Sequence, residues 1–422
     1  MSTTQLFEQA SKLDANDPFA KTRLLFDLPS GVVYLDGNSL GVLPKNVKPR
    51  MDDVIEQQWG RDLISSWNVH NWIGLPQQAA NKIAPLLGVE NHQVMVCDSI
   101  SVNLFKALSI ALTNNPERNV ILSSNNNFPT DLYVAQGIEA LLGTNKCTLK
   151  TVAIHDIQDH IDDSVAVVML TQVDFRSGEL LNIKDLTEHA HKHGALVLLD
   201  LAHSAGVVPL ALNNWGVDLA VGCGYKYLNG GPGAPAFISL SDAMCNAPNQ
   251  PIYGWMGHSS PFEFSPTYKG SPSAKQLLVG TPNILSLAAL DAALDAYQGV
   301  DLNLLRQKSL SLSDFFITEF KRTKDQQANA SALNELTLTG EFSHAERGSH
   351  VALEHPNAYG ISQALIEANV VIDFRAPNLI RFGFAPLYNS HNDIAQCLTT
   401  LFKTMHSQVY LEDRFSQRKA VT

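Results

Sequence analysis

The 422-residue chain is short of charge, of cysteine and of long apolar runs. Charged residues make up 17% of it and hydrophobic ones 45%, against about 25% charged in a typical globular protein. This is the reverse of the composition that keeps a chain disordered. Basic residues are the scarcer sign: 30 Lys and Arg against 41 Asp and Glu leave a net charge of −11. That balance disfavours a nucleic-acid partner, because phosphate backbones are held by clustered Lys and Arg. The five cysteines, Cys97, Cys147, Cys223, Cys245 and Cys397, are odd in number, widely spread and without a C-x-x-C pair. They exclude a disulfide framework and a zinc knuckle and fit a reducing compartment. No stretch approaches about 18 uninterrupted apolar residues, and residues 1–14 carry no basic segment leading into an apolar core. Neither a membrane span nor a leader is expected, and the expected location is the cytoplasm.

The middle third of the chain alternates apolar runs with polar helical stretches, the pattern of an α/β fold with a mostly parallel sheet. The runs 119–124 (NVILSS), 165–171 (VAVVMLT), 195–200 (ALVLLD) and 217–222 (VDLAVG) are the expected strands. Between the second and third, Ile183, Leu186 and Ala190 recur at helical spacing, and Gly194 is placed to stop the helix. From 285 onward a long apolar-periodic helix (LSLAALDAALDAY) and then polar segments around 324–331 suggest a second domain. There is no internal repeat.

Open α/β sheets bind ligands at the carboxyl ends of their strands, so the residues following each run are the candidates. Asp200 ends the third run, and Lys226 follows the fourth within Gly224-Tyr225-Lys226-Tyr227-Leu228-Asn229-Gly230-Gly231. A carboxylate and a lysine on neighbouring strand ends are what pyridoxal phosphate requires. The lysine condenses with the cofactor's aldehyde, and the carboxylate keeps its pyridine nitrogen protonated. Each residue alone also has a plain structural explanation, Asp200 as a helix cap and Lys226 as a surface lysine. No G-x-x-x-x-G-K-[ST] or G-x-G-x-x-G motif supports a nucleotide loop. Asp98 to Asn103 precedes a helical pattern and offers either an anion site at a helix N-terminus or an ordinary cap. Phe128, after the first run, can stack on a ring or belong to the core. His189, His191 and His193 lack a carboxylate or cysteine at matching spacing, so no metal is expected and a solvated helix face is the default.

Together the runs DLAHSAG (200–206) and VGCGYKYLNGGPGAP (221–235) resemble kynureninase, a pyridoxal-phosphate enzyme of the aspartate-aminotransferase fold type (fold type I). Further similar segments are YLDGNSLG (34–41), FPTD (128–131), YGWMGH (253–258), GTPNIL (280–285) and IRFGFAPLYN (380–389), in order along nearly the whole chain. The segment QWGRDLISSWNVHNW (58–72) is closer to the bacterial form.

The resemblance implies a large cofactor domain at 56–290, a smaller α+β domain at 291–422, and an N-terminal segment, 1–55, packing with the latter. It implies that Lys226 anchors the cofactor, Asp200 partners the pyridinium and Phe128 stacks on the ring. Ile100 and Ser101 would contact the phosphate, and Asp131, Thr171 and His203 would line the cofactor. Tyr225 would bind the phosphate, with or without a proton-donating role. In a homodimer with shared active sites, Trp255 and Thr281 would reach the neighbouring cofactor. Arg381 would clamp the substrate α-carboxylate, a task suited to a planar bidentate donor, and Arg375 is a second candidate for that role or a salt-bridge partner. The implied reaction is hydrolysis of L-kynurenine to anthranilate and L-alanine, within tryptophan catabolism and NAD biosynthesis. 3-Hydroxykynurenine is the alternative substrate; Thr281, where the animal form has asparagine, favours kynurenine. Rivals on the same fold are a cysteine desulfurase and a class V aminotransferase. A desulfurase needs a mobile late cysteine, and Cys397 lies in an apolar-periodic stretch that reads as a buried helix.

Overall fold

A computed structural model describes residues 3–246, 250–326 and 331–418. The chain opens with the helix Thr3–Asp14 and the short strand β1 (Val33–Tyr34) before entering a seven-stranded sheet. The sheet contains β2 (Val94–Val96), β3 (Val120–Ser124), β4 (Thr148–Val152), β5 (Val165–Thr171), β6 (Leu196–Asp200), β7 (Leu219–Cys223) and β8 (Ala236–Leu240). Their spatial order is β2-β8-β7-β6-β5-β3-β4. Only β8 runs against its neighbours; the other pairings are parallel.

The apolar runs of the central strands follow from burial on both faces. In β5, Val168 and Leu170 enter one core while Val167 and Met169 enter another. Val197 and Leu199 of β6 oppose Leu198 in the same way. Side chains that alternate across the sheet therefore fill two layers, each buried Val or Leu contributing about 1.5–3 kcal/mol relative to exposure. β7 starts later than the run at 217 suggests, because Asp218 turns its carboxylate to the backbone N–H of Val197 (2.8 Å) and to His191 (2.8 Å). The expected crossover helix is Ile183–Lys192, capped by Asn182 and closed by Gly194 at φ +73°. The helix expected to run on from 285 is instead Ile284–Ala293, tightening to a 3₁₀ turn over Leu294–Tyr297. That turn brings the Tyr297 hydroxyl to the carbonyl of Tyr227 (2.8 Å), beside Lys226.

The C-terminal half carries β9 (Thr337–Leu338), β10 (His350–Glu354), β11 (Val370–Val371), β12 (Asp373–Arg375) and β13 (Leu379–Gly383). Four of them form an antiparallel sheet, β12-β13-β10-β9, and β11 pairs in parallel with β1. Helices Leu302–Gln326, Ala358–Glu367 and His391–Ser407 close a second core that also takes Leu6, Ala10, Val33 and Leu35 from the N-terminal segment. Leu302–Gln326 spans both cores, with Leu305 in the first and Leu312 in the second, and Ala385, Leu387 and Tyr388 return to the first. Residues 327–330 of the polar stretch lie outside the described residues. Charged contacts fasten the N-terminal segment to this half. Asp14 accepts from His391 and Asn392 at the start of His391–Ser407, and Asp17 pairs with buried Lys308 at 2.7 Å.

Candidate active site

Chain order and spatial order reverse at β3: the chain steps outward to β4, then returns to lay β5 on the other side of β3. Such a switch point leaves a crevice at the strands' carboxyl ends. The cavity found there is lined by Ile100, Ser101, Phe128, Asp131, Thr171, Asp200, His203, Tyr225 and Lys226, all expected site residues, together with Phe175 and Cys223.

Each wall has a local cause. Pro129 opens the helix Pro129–Leu142, a position its fixed φ suits, and holds Phe128 extended (φ −57°, ψ 131°) at the rim. Phe128 is 37% exposed, outside the core, with its ring edge-on to Phe175 at 5.2 Å. Asn127 ties β3 to β5 by accepting from the Thr171 backbone N–H (3.2 Å) and the Thr171 hydroxyl. At the opposite wall Asp98 turns through φ +51°, and Ser99 Oγ accepts from the N–H of Val102 to cap the helix Ile100–Asn114. The N-terminal amides of that helix, at Ile100 and Ser101, thus sit at the cavity, where a helix end favours an anion. The glycine-rich lysine loop folds back through Gly230 N–H to the carbonyl of Gly224 (2.8 Å). Gly41 donates to the carbonyl of Tyr225 (2.8 Å), an approach only glycine permits, since a Cβ would lie 2.4 Å from the Lys226 carbonyl oxygen.

The Lys226 ammonium lies 5.9 Å from the centroid of the Phe128 ring and 6.0 Å from that of Tyr225. Burial raises the Asp200 carboxyl above the usual carboxylate range, with Lys226 opposing the shift and the Ala202 N–H bonded to Oδ1 at 2.8 Å. Asp131 is raised well above that range by burial and then by the charge of Asp200. Burial, followed by the cations Lys226 and Arg381, holds His203 well below its ordinary value, hence neutral. Asp131 Oδ1 and His203 Nδ1 are buried without a hydrogen-bond partner among the described residues. Unspent acceptors and donors of this kind are costly unless a ligand or water uses them. A cavity with an amine, a carboxylate, an aromatic face, spare polar atoms and an anion-favouring helix end fits pyridoxal phosphate.

Four expected residues lie outside this lining. Trp255 is 40% exposed and edge-on to Phe262 at 5.8 Å. Thr281 borders a separate small space, with Cys97, Asp98 and Pro235. Arg381 lies behind the lining, donating to the carbonyl of Phe175 at 2.6 Å. Arg375 pairs with Asp373 at 2.9 Å. Asn127 and Phe175 stand among the residues that follow the first two apolar runs but carry no expected role, and Asp373 is not among the candidates. The first two lie within four residues of the ends of β3 and β5; Asp373 is marked only by the pairing of its strand with that of Arg381. His191 pairs with Asp218, and His189 lies 3.1 Å from the carbonyl of Gln158. Cys397 is fully buried in His391–Ser407, its thiol raised by burial.

The family model of the kynureninase C-terminal domain matches residues 305–401. Kynureninase of Deinococcus radiodurans is 47% identical over 395 residues, covering 92% of this chain and 94% of its own. Kynureninase of Pseudomonas fluorescens is 42% identical over 414 residues, 97% and 98% of the two chains. Among solved structures, the apo cysteine desulfurase of Thermococcus onnurineus superposes with a TM-score of 0.74 at 17% identity, over 92% of this chain and 98% of that one. The cystine C–S lyase C-DES, in complex with cysteine persulfide, gives 0.75 at 16%, over 88% and 98%. These structures share the fold, whereas the sequence relatives are 42–47% identical along almost the whole length: the chain belongs to the kynureninase family.

Proposed function

We propose that this chain is a pyridoxal-phosphate-dependent hydrolase that breaks the Cβ–Cγ bond of L-kynurenine and releases anthranilate and L-alanine. The observation that carries the reading is the convergence of Lys226, Asp200 and Phe128 on one cavity in a chain 47% identical to a kynureninase. Bound pyridoxal phosphate supplies an aldehyde that captures the substrate amine and a protonated ring that withdraws electrons from Cα. Asp200 keeps that ring nitrogen protonated, Phe128 covers a ring face, and the amides at Ile100 and Ser101 hold the phosphate. Asp131, Thr171 and His203 line the ring.

Lys226 is the base that takes the Cα proton and, once the Cβ–Cγ bond has broken, returns a proton to Cα. Water adds to the γ-carbonyl, the Cβ–Cγ bond breaks, and Cβ takes a proton. Tyr225, which lines the cavity beside Lys226, gives it; burial, then Cys223 and Asp200, raises its phenol, so the hydroxyl stays protonated at neutral pH. Arg381 receives the substrate α-carboxylate. The fold likeness to desulfurases does not bring their chemistry, because Cys397 is locked in a helix.

A homodimer with shared sites belongs to the same proposal. Trp59, Leu63, Ile64 and Val69 are exposed on one segment and Tyr253, Trp255, Phe262 and Phe264 on another, Ile64 at 80% and Phe264 at 75%. Apolar exposure on that scale marks an interaction surface, and Trp255 lies within it. Among the described residues no helix is long and apolar enough to cross a membrane; the expected setting is the cytoplasm and tryptophan breakdown.

The test is anthranilate fluorescence after L-kynurenine is added to the protein with pyridoxal phosphate. Release is expected, lost in Lys226→Ala, and reduced to a small residue in Asp200→Ala although the cofactor still binds. A protein that takes up the cofactor but releases no anthranilate would overturn the reading.

A further inference from the structure

Arg381, only 1% exposed, is engaged along one whole edge. Its Nε donates to Asp373 Oδ1 at 2.7 Å and its Nη2 to Asp373 Oδ2, while Nη1 donates to the carbonyl of Phe175 at 2.6 Å. A guanidinium carries five N–H groups in a fixed plane, and these bonds use three. Two hydrogens remain, one on Nη1 and one on Nη2, the two nitrogens whose end-on fork fits a carboxylate. Among the described residues their one side-chain contact is long, Nη2 to Ser39 Oγ at 3.3 Å, and that hydroxyl already donates to Asp373 Oδ2 at 2.7 Å. Antiparallel pairing sets Asp373 of β12 directly opposite Arg381 of β13, so the choice of edge is built into the sheet. Phe175 carries the same order into the cofactor cavity, since its carbonyl holds Nη1 while its ring meets Phe128.

We infer that Asp373 is a positioning residue for substrate binding, fixing Arg381 so that the end-on fork faces the α-carboxylate, and that Arg375 supplies the charge that this costs. The inference rests on Arg381 as the carboxylate group. Asp373 alone would neutralise Arg381, and an arginine already neutralised attracts a second carboxylate weakly. Arg375 Nη2, 2.9 Å from Asp373 Oδ2, restores a net positive charge to the three side chains, which the neighbouring Asp36 carboxyl opposes only in its ionised form. Its role is thereby charge balance rather than a second clamp.

The experiment compares Asp373→Asn, Arg381→Lys and the double variant, as loaded enzyme, by steady-state kinetics with L-kynurenine and inhibition by kynuramine, which lacks the α-carboxylate. In Asp373→Asn, KM is expected to rise about tenfold or more with kcat within about threefold, the signature of lost binding rather than lost chemistry. Kynuramine inhibition should stay unchanged, and the Asp373→Asn effect should vanish in the Arg381→Lys background, because the two act as one unit. If Arg381→Lys raises KM and Asp373→Asn does not, the positioning role is wrong and the clamp stands. If neither raises KM, the clamp itself is wrong. Equal weakening of kynuramine would reduce Asp373 to a structural part. Should Asp373→Asn fail to fold, the half-exposed Arg375→Gln decides: a KM increase without a kynuramine effect supports the arrangement, and an unchanged KM overturns it.

Discussion

A single carboxyl group shows how tightly this site balances charge. Asp36 follows β1 and faces Asp373, Arg375 and Arg381, with Tyr34, Tyr227 and Tyr388 around it. Burial and then the charge of Asp373 push its carboxyl up to about 7, against the opposing pull of Ser39, Arg381 and Arg375. An unfolded aspartate titrates near 3.9, so between these values the folded chain binds a proton that the unfolded chain has lost. Stability therefore falls as pH rises through that window, and the loss is complete above about 7. Asp36→Asn removes the titration and should raise the melting temperature more at pH 8 than at pH 5, read by thermal denaturation of the two proteins. An equal difference at both pH values would show that Asp36 is not the group concerned. In the sequence, Asp36 was one letter of a matching motif. Its burial against a second carboxylate depends on β1 pairing with β11, a contact between distant parts of the chain that no local pattern encodes.

Among the elements, the helix Ile100–Asn114 illustrates how a binding loop is held from behind. Lys106, fully buried, pairs with Asp98 at 2.5 Å and donates to the carbonyl of Leu277 at 2.6 Å. One ammonium thus pins the left-handed turn that presents Ser99 to Ser101 and joins it to the stretch leading to Thr281. Lys106→Met keeps the length of the side chain but leaves the Asp98 carboxylate and the Leu277 carbonyl without that donor, a change costing about 1–3 kcal/mol per stranded group. Pyridoxal phosphate affinity is expected to fall by about tenfold, equivalent to about 1.4 kcal/mol, with kcat preserved once the cofactor is saturating. Cofactor titration by absorbance checks this, and an unchanged affinity would show that the loop holds its shape without the lysine. The helix and its cap were legible, because Ser99 before an apolar-periodic run is a local signal. Lys106 within LFKALSIAL reads as an ordinary solvent-facing lysine; only the neighbouring segment at 274–277 makes it interior. The same limit explains the helix after 284, whose periodicity continues past Ala293 while the Tyr297–Tyr227 contact tightens its last turn.

At the scale of the whole molecule, the strand ends and the meeting of Lys226 and Asp200 at one cavity were readable because a parallel sheet writes itself as apolar runs and gathers the residues after its strands at one edge. The placement of Trp255 and Thr281 is different in kind. Both lie outside the Lys226 cavity of their own chain, Trp255 on an exposed apolar surface, so a role in binding requires a second copy to bring them in. In a closed two-fold dimer each subunit lends the same patch to the other, and defects in the lysine and in the tryptophan should then complement. Lys226→Ala and Trp255→Ala are each expected to be nearly inactive. When they are unfolded together and refolded as a mixture, half of the dimers should be hybrids, each with one intact site formed from the two chains. Kynurenine turnover should recover to about a quarter of the wild-type value, the fraction set by random two-fold pairing, while each variant refolded alone stays inactive. If Trp255 served the cavity of its own chain, every site in the hybrid would carry one defect, and mixing would restore nothing.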